Sequence, residues 1–259
     1  WGQLGRTEES IQCCRKAETR SSDYCFPNTI EEMLILAYAI RLLGQAPMAS
    51  YYLGNLLYDK KQYEKAVSCW ENTVSLKPDF AMAWRNLSIA YYNKEEEPEK
   101  ALSAIDKACS LENGNSRFLL EQAQLGAKAG VSSAQRLKLL EEHKELLEDR
   151  DTLCLAYITL LNENGRWEEA LELLRRHVFH VWEGGEGKVA EQYKISLFAL
   201  AGAAMDKGDY AGALELCRQT ITYPENLGEG KLPNVPDNQA YYLMGVCCRK
   251  LGEEEKAEG

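Results

Sequence analysis

The sequence predicts an all-α fold, a right-handed solenoid of stacked helix–turn–helix units. Three observations predict it. Apolar residues recur at helical spacing in paired segments separated by short polar turns. The pairs themselves recur along the 259-residue chain, at close to the roughly 34-residue period of helical-hairpin arrays. Strand signals are almost absent: there is no sustained period-2 alternation and no Asn-Gly or Asp-Gly hairpin turn between β-branched runs.

Residues 1–28 read as a truncated unit and a linker, with one helix from Gly5 to Glu18 and a polar stretch from Thr19 to Pro27. A new helix starts at Asn28-Thr29, with Glu31 and Glu32 in the first turn, where the helix dipole favours acids. Met33, Leu36, Ala37 and Ile40 form its apolar face, and Gly44 stops it. The clearest pair runs from Pro47 to Pro78 (PMASYYLGNLLYDKKQYEKAVSCWENTVSLKP). Tyr51, Leu53, Gly54, Leu57 and Tyr58 mark its first helix; Tyr63, Ala66, Val67, Trp70 and Val74 mark its second. Gly54 and Ala66 are small where the two helices should cross closely. The next unit, Ala81 to Gly114, carries Trp84, Leu87 and Tyr91, then Pro98 at a first helical turn, then Ala101, Ile105 and Ala108. Regular units thus occupy residues 29–114. Residues 115–150 form a degenerate unit in which Phe118, Leu125 and Ala134 keep register and Glu121-Gln122 replaces the Leu-Gly pair. Residues 151–259 resume the pattern with Tyr157, Leu161, Ala170 and Leu174, then Leu197, Leu200, Ala204, Ala213 and Cys217. A last, cut-off unit carries Tyr241, Met244-Gly245, Leu251-Gly252 and Ala257. About 13 helices are expected in all. The array reads as a single superhelix.

The order Leu53-Gly54, Leu57, Tyr63, Ala66, Trp70, Pro78 resembles the tetratricopeptide repeat (TPR), a 34-residue helix–turn–helix unit that buries its apolar face only against its neighbours. The resemblance covers nearly the whole chain. It is specific in Pro47–Phe80, Ala81–Gly114 and Asp151–Val181. It implies a non-catalytic interaction scaffold that binds a peptide or partner domain in a concave groove or along its loop edge. Three stretches carry a narrower resemblance: YYLGNLLYDKKQYEKAVSCW, HVWEGGEGKVAEQY and YPENLGEGKL. They resemble the helical C-terminal region of large bacterial proteins of unknown function, whose N-terminal domain is β-rich and looks related to carbohydrate-active folds. That resemblance implies an auxiliary helical region contributing to a sugar site, with a preceding domain of the same chain as a further partner.

Composition bounds the partners. A net charge of −10 and a pI near 5.0 disfavour a phosphate backbone. No apolar run approaches the roughly 20 residues that span a bilayer. The chain has no initiating Met and begins and ends inside apparent repeats, so it reads as a piece of a longer protein. Of nine cysteines, Cys69, Cys109, Cys154, Cys217 and Cys247 fall on predicted apolar faces, and no CxxC occurs. That usage points to free thiols in a reducing, cytoplasmic setting.

No catalytic or cofactor motif is present: GxSxG, HExxH and Walker patterns are all missing. His177 and His180 stand at i, i+3 near a helix end, a spacing open to a metal or to simple complementation of the helix dipole. With no third ligand in register, no metal site is assigned. His143 reads as a solvated residue of a charged helix.

Two candidate sites remain. In the tetratricopeptide family the first helix of each unit lines the groove. Carried onto this chain by that resemblance, the groove residues are Tyr51, Tyr52, Asn55, Tyr58 and Asp59, then Arg85, Asn86, Tyr92 and Asn93. Asn55 and Asn86 match the two Asn of the family's carboxylate clamp. The clamp's cations do not follow, since Tyr51, Ser116 and Leu120 occupy their places, so an acidic C-terminal tail is disfavoured. The second candidate is a pair of long loops, His180–Val189 and Tyr223–Leu232, each containing Gly-Glu-Gly-Lys and 43 residues apart. Equivalent loops of a solenoid stack along one edge, so the copies should be neighbours. Trp182, Glu183, Gly185, Glu186, Lys188, Asn226, Gly228, Glu229 and Lys231 are the residues in question. They serve either to tie adjacent units together or to present polar groups to a partner.

Overall fold

The computed structural model describes residues 2–22, 24–233 and 235–253. Ala257, expected in the last unit, lies outside them. Among the described residues there are thirteen α-helices and no strand. No helix among them is long and apolar enough to cross a membrane. The chain divides into two compact units, Trp1–Gly130 and Val131–Gly259.

The first unit holds α1 (Thr7–Glu18), α2 (Ile30–Leu43), α3 (Pro47–Asp59), α4 (Tyr63–Leu76), α5 (Ala81–Lys94), α6 (Pro98–Leu111) and α7 (Ser116–Lys128). Local chemistry fixes the ends. Thr29 Oγ1 accepts from Glu32 N at 3.2 Å, and a Glu32 carboxylate oxygen accepts from Thr29 N at 2.9 Å, a reciprocal capping box. Pro47 and Pro98 sit at the first helical positions, where a missing N–H costs nothing. Glu18, the last residue of α1, caps α3 by accepting from Met48 N and Ala49 N, both at 2.8 Å. The seam between α3 and α4 is tight. A Cβ on Gly54 would stand 2.5 Å from Trp70 Nε1, which is why the position is glycine. Ala66, Leu87, Ala101, Ile105 and Ala108 are fully buried in the same continuous core.

The second unit holds α8 (Ser133–Glu141), α9 (Asp151–Glu163), α10 (Trp167–Arg176), α11 (Lys188–Asp206), α12 (Tyr210–Gln219) and α13 (Asn238–Lys250). Short 3₁₀ segments occur at Lys144–Asp149 and Glu225–Leu227. Three expectations change here. Ala134 lies exposed in the first turn of α8, and Leu137 and Leu140 fill the core instead. The helix carrying Leu197 and Leu200 begins at Lys188, inside the loop expected to run to Val189, so the last residue of the first Gly-Glu-Gly-Lys copy is already helical. Tyr241 is 59% exposed rather than packed. The cysteines follow the expected pattern in part. Cys154, Cys217, Cys247 and Cys248 are buried and free, while Cys69 and Cys109 are half-buried. Burial pushes the Cys109 and Cys154 thiols up to about 12, as expected of inert core residues.

Candidate functional site

The groove candidates lie on α3 and α5, and hydrogen bonds link several of them into one row. Trp70 Nε1, reaching across from α4, donates to Asn55 Oδ1 at 3.0 Å. An indole N–H can only donate, so this bond fixes which end of the Asn55 amide is oxygen. The same oxygen accepts from Asn86 Nδ2 at 3.0 Å. Asn86 Oδ1 in turn accepts a long 3.4 Å bond from Arg85 Nη1. Arg85 Nε and Nη2 then donate to the two carboxylate oxygens of Glu121 on α7, at 2.7 and 2.5 Å. Arg117 Nε adds a third bond to Glu121, at 3.0 Å. Asn55, Tyr58, Trp70, Arg85, Asn86 and Ile89 line a hollow of about 220 Å³.

The other groove candidates have different fates. Tyr51 is only 7% exposed and joins the core, its ring edge-on to Phe80 at 4.8 Å. It is corrected from groove residue to packing residue, because Phe80, just before α5, folds over it. Tyr52 is half-buried beside it. Tyr58 is half-buried, its ring 5.4 Å from Trp70 and 5.0 Å from Tyr63. Tyr92 carries the Lys128 ammonium 5.1 Å from its ring centre, and Asn93 and Asp59 are exposed at the helix ends.

The residue that sequence reasoning missed is Glu121. Its signal was present: Glu121 breaks the Leu-Gly pattern of its unit. It stands 36 residues after Arg85, close to one repeat period, which places the two opposite each other on successive first helices. Partial burial pushes the Glu121 carboxyl up, but Arg85 and then Arg117 hold it below the usual glutamate range. A depressed acid stabilises the fold above its unfolded value of about 4.3, and that contribution fades as pH falls through the lower folded value. Carbon-13 titration of the Glu121 carboxyl should therefore give a midpoint below about 4.3. In Arg85→Met the midpoint should move upward. An unchanged midpoint would mean the pair does not form in solution.

The paired loops meet in the second unit. Glu229 of the second copy accepts from Gly187 N at 2.6 Å and Ala190 N at 2.9 Å, capping α11 where the first copy ends. Asn226 Nδ2 donates to the carbonyls of Leu174 and His177, at 2.7 and 2.8 Å, and so caps the C-terminal end of α10. Gly228 has φ +72° and packs against the Phe179 carbonyl, leaving no room for a side chain. Gly185 is covered by the Trp182 ring. Lys231 pairs with Asp237, which also takes Lys194 at 2.8 Å. The second copy is thus consumed by structure. In the first loop Glu183, Glu186 and Lys188 remain exposed.

His177 and His180 do converge, on a carboxylate. His177 Nε2 lies 2.7 Å from Asp151 Oδ1, and His180 Nδ1 lies 3.0 Å from Asp151 Oδ2. Among the described residues no group of three or more His, Cys, Asp or Glu is arranged to hold a metal.

Comparisons with known proteins agree with this geometry. Residues 54–94, spanning α3 to α5, match the family described as TPR repeat. Among solved structures the chain is similar to YrrB, a TPR protein with an unusual peptide-binding site. There the TM-score is 0.52 at 19% identity, over 72% of this chain and 90% of that one. It is similar to a tetratricopeptide repeat protein from Parabacteroides merdae ATCC 43184, with a TM-score of 0.50 at 15% identity, over 96% and 90%. It is also similar to the Naa15/Naa10 complex bound to HypK-THB, with a TM-score of 0.56 at 13% identity, over 97% of this chain but 35% of that one. At these identities the likeness establishes a helical-repeat fold.

Proposed function

We propose that the chain is a non-catalytic interaction scaffold, and that the face of α3 and α5 receives an extended peptide from a partner protein. The observation that carries this reading is the amide row Asn55–Asn86. Both side chains are half-exposed and already oriented by Trp70 and Arg85. Preorganised groups lose little entropy on binding. With Oδ1 of Asn55 occupied twice, its Nδ2 hydrogens and the second Nδ2 hydrogen of Asn86 point to an acceptor-rich partner. The carbonyls of an extended backbone fit that need. The hollow of about 220 Å³ beside them falls below the 300–1,000 Å³ typical of small-ligand pockets and suits one side chain of such a peptide.

Arg85 is spent on Glu121, so the face offers no free guanidinium to a terminal carboxylate. The preferred peptide is therefore neutral and internal rather than an acidic tail. The shared fold with a peptide-binding repeat protein supports the class of partner, though not its identity. A sugar stacked on an aromatic ring is served less well, because Tyr51 is buried and Tyr58 packs against Trp70.

A random-peptide display selection against the full chain, with a glycan array in parallel, tests the proposal. Selected peptides should bind the Asn55→Ala/Asn86→Ala variant about 5–160-fold more weakly, as expected from losing two hydrogen bonds of about 0.5–1.5 kcal/mol each. Unchanged affinity in a folded double variant, or hits on glycans alone, would overturn it.

A further inference from the structure

Among the described residues, α2 is the one helix that exposes more than one large aliphatic side chain. Ile30, Leu34 and Ile35 are 68%, 62% and 63% exposed. Of its 14 residues only Glu31, Glu32 and Arg41 are charged, and the rest are apolar or aromatic. The opposite face is accounted for, since Leu36, Ile40 and Leu43 pack with Ala39, Ala46, Ala49 and Cys14. A helix that is apolar all round is normally buried all round. A clustered apolar surface left open marks an interaction site.

The charges on this face identify its occupant. Glu32 is spent on the capping box, whereas Glu31 and Arg41 have no ion-pair partner among the described residues. Glu31, Leu34, Tyr38 and Arg41 stand at i, i+3, i+7 and i+10, the spacing of a coiled-coil seam, with Ile30, Ile35 and Leu42 beside them. At about 100° per residue the four fall within an arc of about 80°. The Arg41 guanidinium lies 5.8 Å from the Tyr38 ring centre, within that strip. The strip is complementary to itself. Turned end for end about the level of Leu36, it sets Glu31 against Arg41, Leu34 against Tyr38 and Ile30 against Leu42. A parallel copy would instead set Glu31 on Glu31 and Arg41 on Arg41. A wholly apolar partner would leave both charges against hydrocarbon. An anionic lipid surface is disfavoured by the net charge of −10.

We propose that α2 is a self-association surface, on which a second copy of this chain packs its own α2 antiparallel about a twofold axis level with Leu36. The interface is isologous, so each Glu31 meets the partner's Arg41 and the ion pair occurs twice. Leu34 of each copy packs on the partner's Tyr38, with Ile30, Ile35 and Leu42 closing the sides. The ion pairs add little affinity where water reaches them, but they fix direction and register. One helix face is a small interface, which places the dimer among the weak, reversible ones. The contact uses none of the α3–α5 residues assigned to the peptide.

Sedimentation velocity of the full chain, from micromolar to near-millimolar concentration, tests this. A reversible monomer–dimer equilibrium is expected. Leu34→Glu, at an exposed position, should weaken the dimer about tenfold or more with helical circular dichroism unchanged. Glu31→Arg and Arg41→Glu should each weaken it several-fold by setting like charges together. An equimolar mixture of those two variants should recover it, because each reversed charge then meets its opposite. Recovery guards against a folding defect, which mixing cannot repair. Tyr242→Glu, at an exposed position of α13, should leave the dimer unchanged. A monomer throughout the range, a dimer insensitive to Leu34→Glu, a dimer lost with Tyr242→Glu, or no recovery in the mixture would overturn the proposal.

Discussion

Replacing Trp70 with alanine is expected to destabilise the first unit by about 3–5 kcal/mol, the usual cost of deleting a buried tryptophan. The side chain is 3% exposed and fills the seam opposite Gly54, which cannot grow to refill it without a helix shift. The loss is polar as well. Trp70 Nε1 donates to Asn55 Oδ1, and its departure frees the Asn55 amide to rotate. Urea unfolding followed by circular dichroism should show the midpoint falling sharply, and peptide affinity should fall with it even at temperatures where the variant stays folded. Trp70→Phe separates the two effects. It should recover most of the stability and little of the binding. A variant that loses less than about 1 kcal/mol would mean that the α3–α4 seam is not packed as described.

Gly228→Ala is the second large effect, expected to cost about 2–5 kcal/mol in the second unit. Part is the left-handed backbone, which disfavours an L-residue by roughly 1–2 kcal/mol. Part is overpacking, at about 1–3 kcal/mol, because the new methyl meets the Phe179 carbonyl, a backbone atom that cannot swing away. Phe179 N also donates to Asn226 O at 2.8 Å, so moving this strand of the loop threatens the clasp on α10 and, through Glu229, the cap on α11. Hydrogen exchange should quicken first at the start of α11 and the end of α10. Gly230→Ala is the matched control, since nothing lies within 4 Å of a Cβ there and the change should be nearly neutral. Equal stability of the two variants would contradict the clasp.

These two residues mark what the sequence could reveal. Gly54, Ala66 and Trp70 announce a helix crossing by size and spacing alone, and the crossing is where they put it. The polar use of Trp70 was not readable, because an indole ring on an apolar stripe says nothing about where its N–H points. Tyr51 misled for a related reason: helix position predicts a face, but Phe80 from the next turn covers that part of it. Repetition of Gly-Glu-Gly-Lys predicted that the two loops would be neighbours, and Glu229 reaching Gly187 and Ala190 agrees with this. Which copy would be consumed by structure was hidden, since both read identically. Asp237 was hidden too. An aspartate before a helix reads as a cap, and only the folded chain brings Lys194 and Lys231 to claim it. Glu121 was the readable exception, a carboxylate in place of Leu-Gly one repeat period from Arg85.

The α3–α5 face is tested most directly by amide and side-chain NMR mapping of the full chain with a display-selected neutral peptide. Shifts should centre on the Asn55 and Asn86 side-chain amides, Tyr58, Ile89 and the Trp70 indole N–H. Shifts that spare these groups and gather instead on residues 185–237, or on the exposed apolar positions of α2, would contradict the assignment.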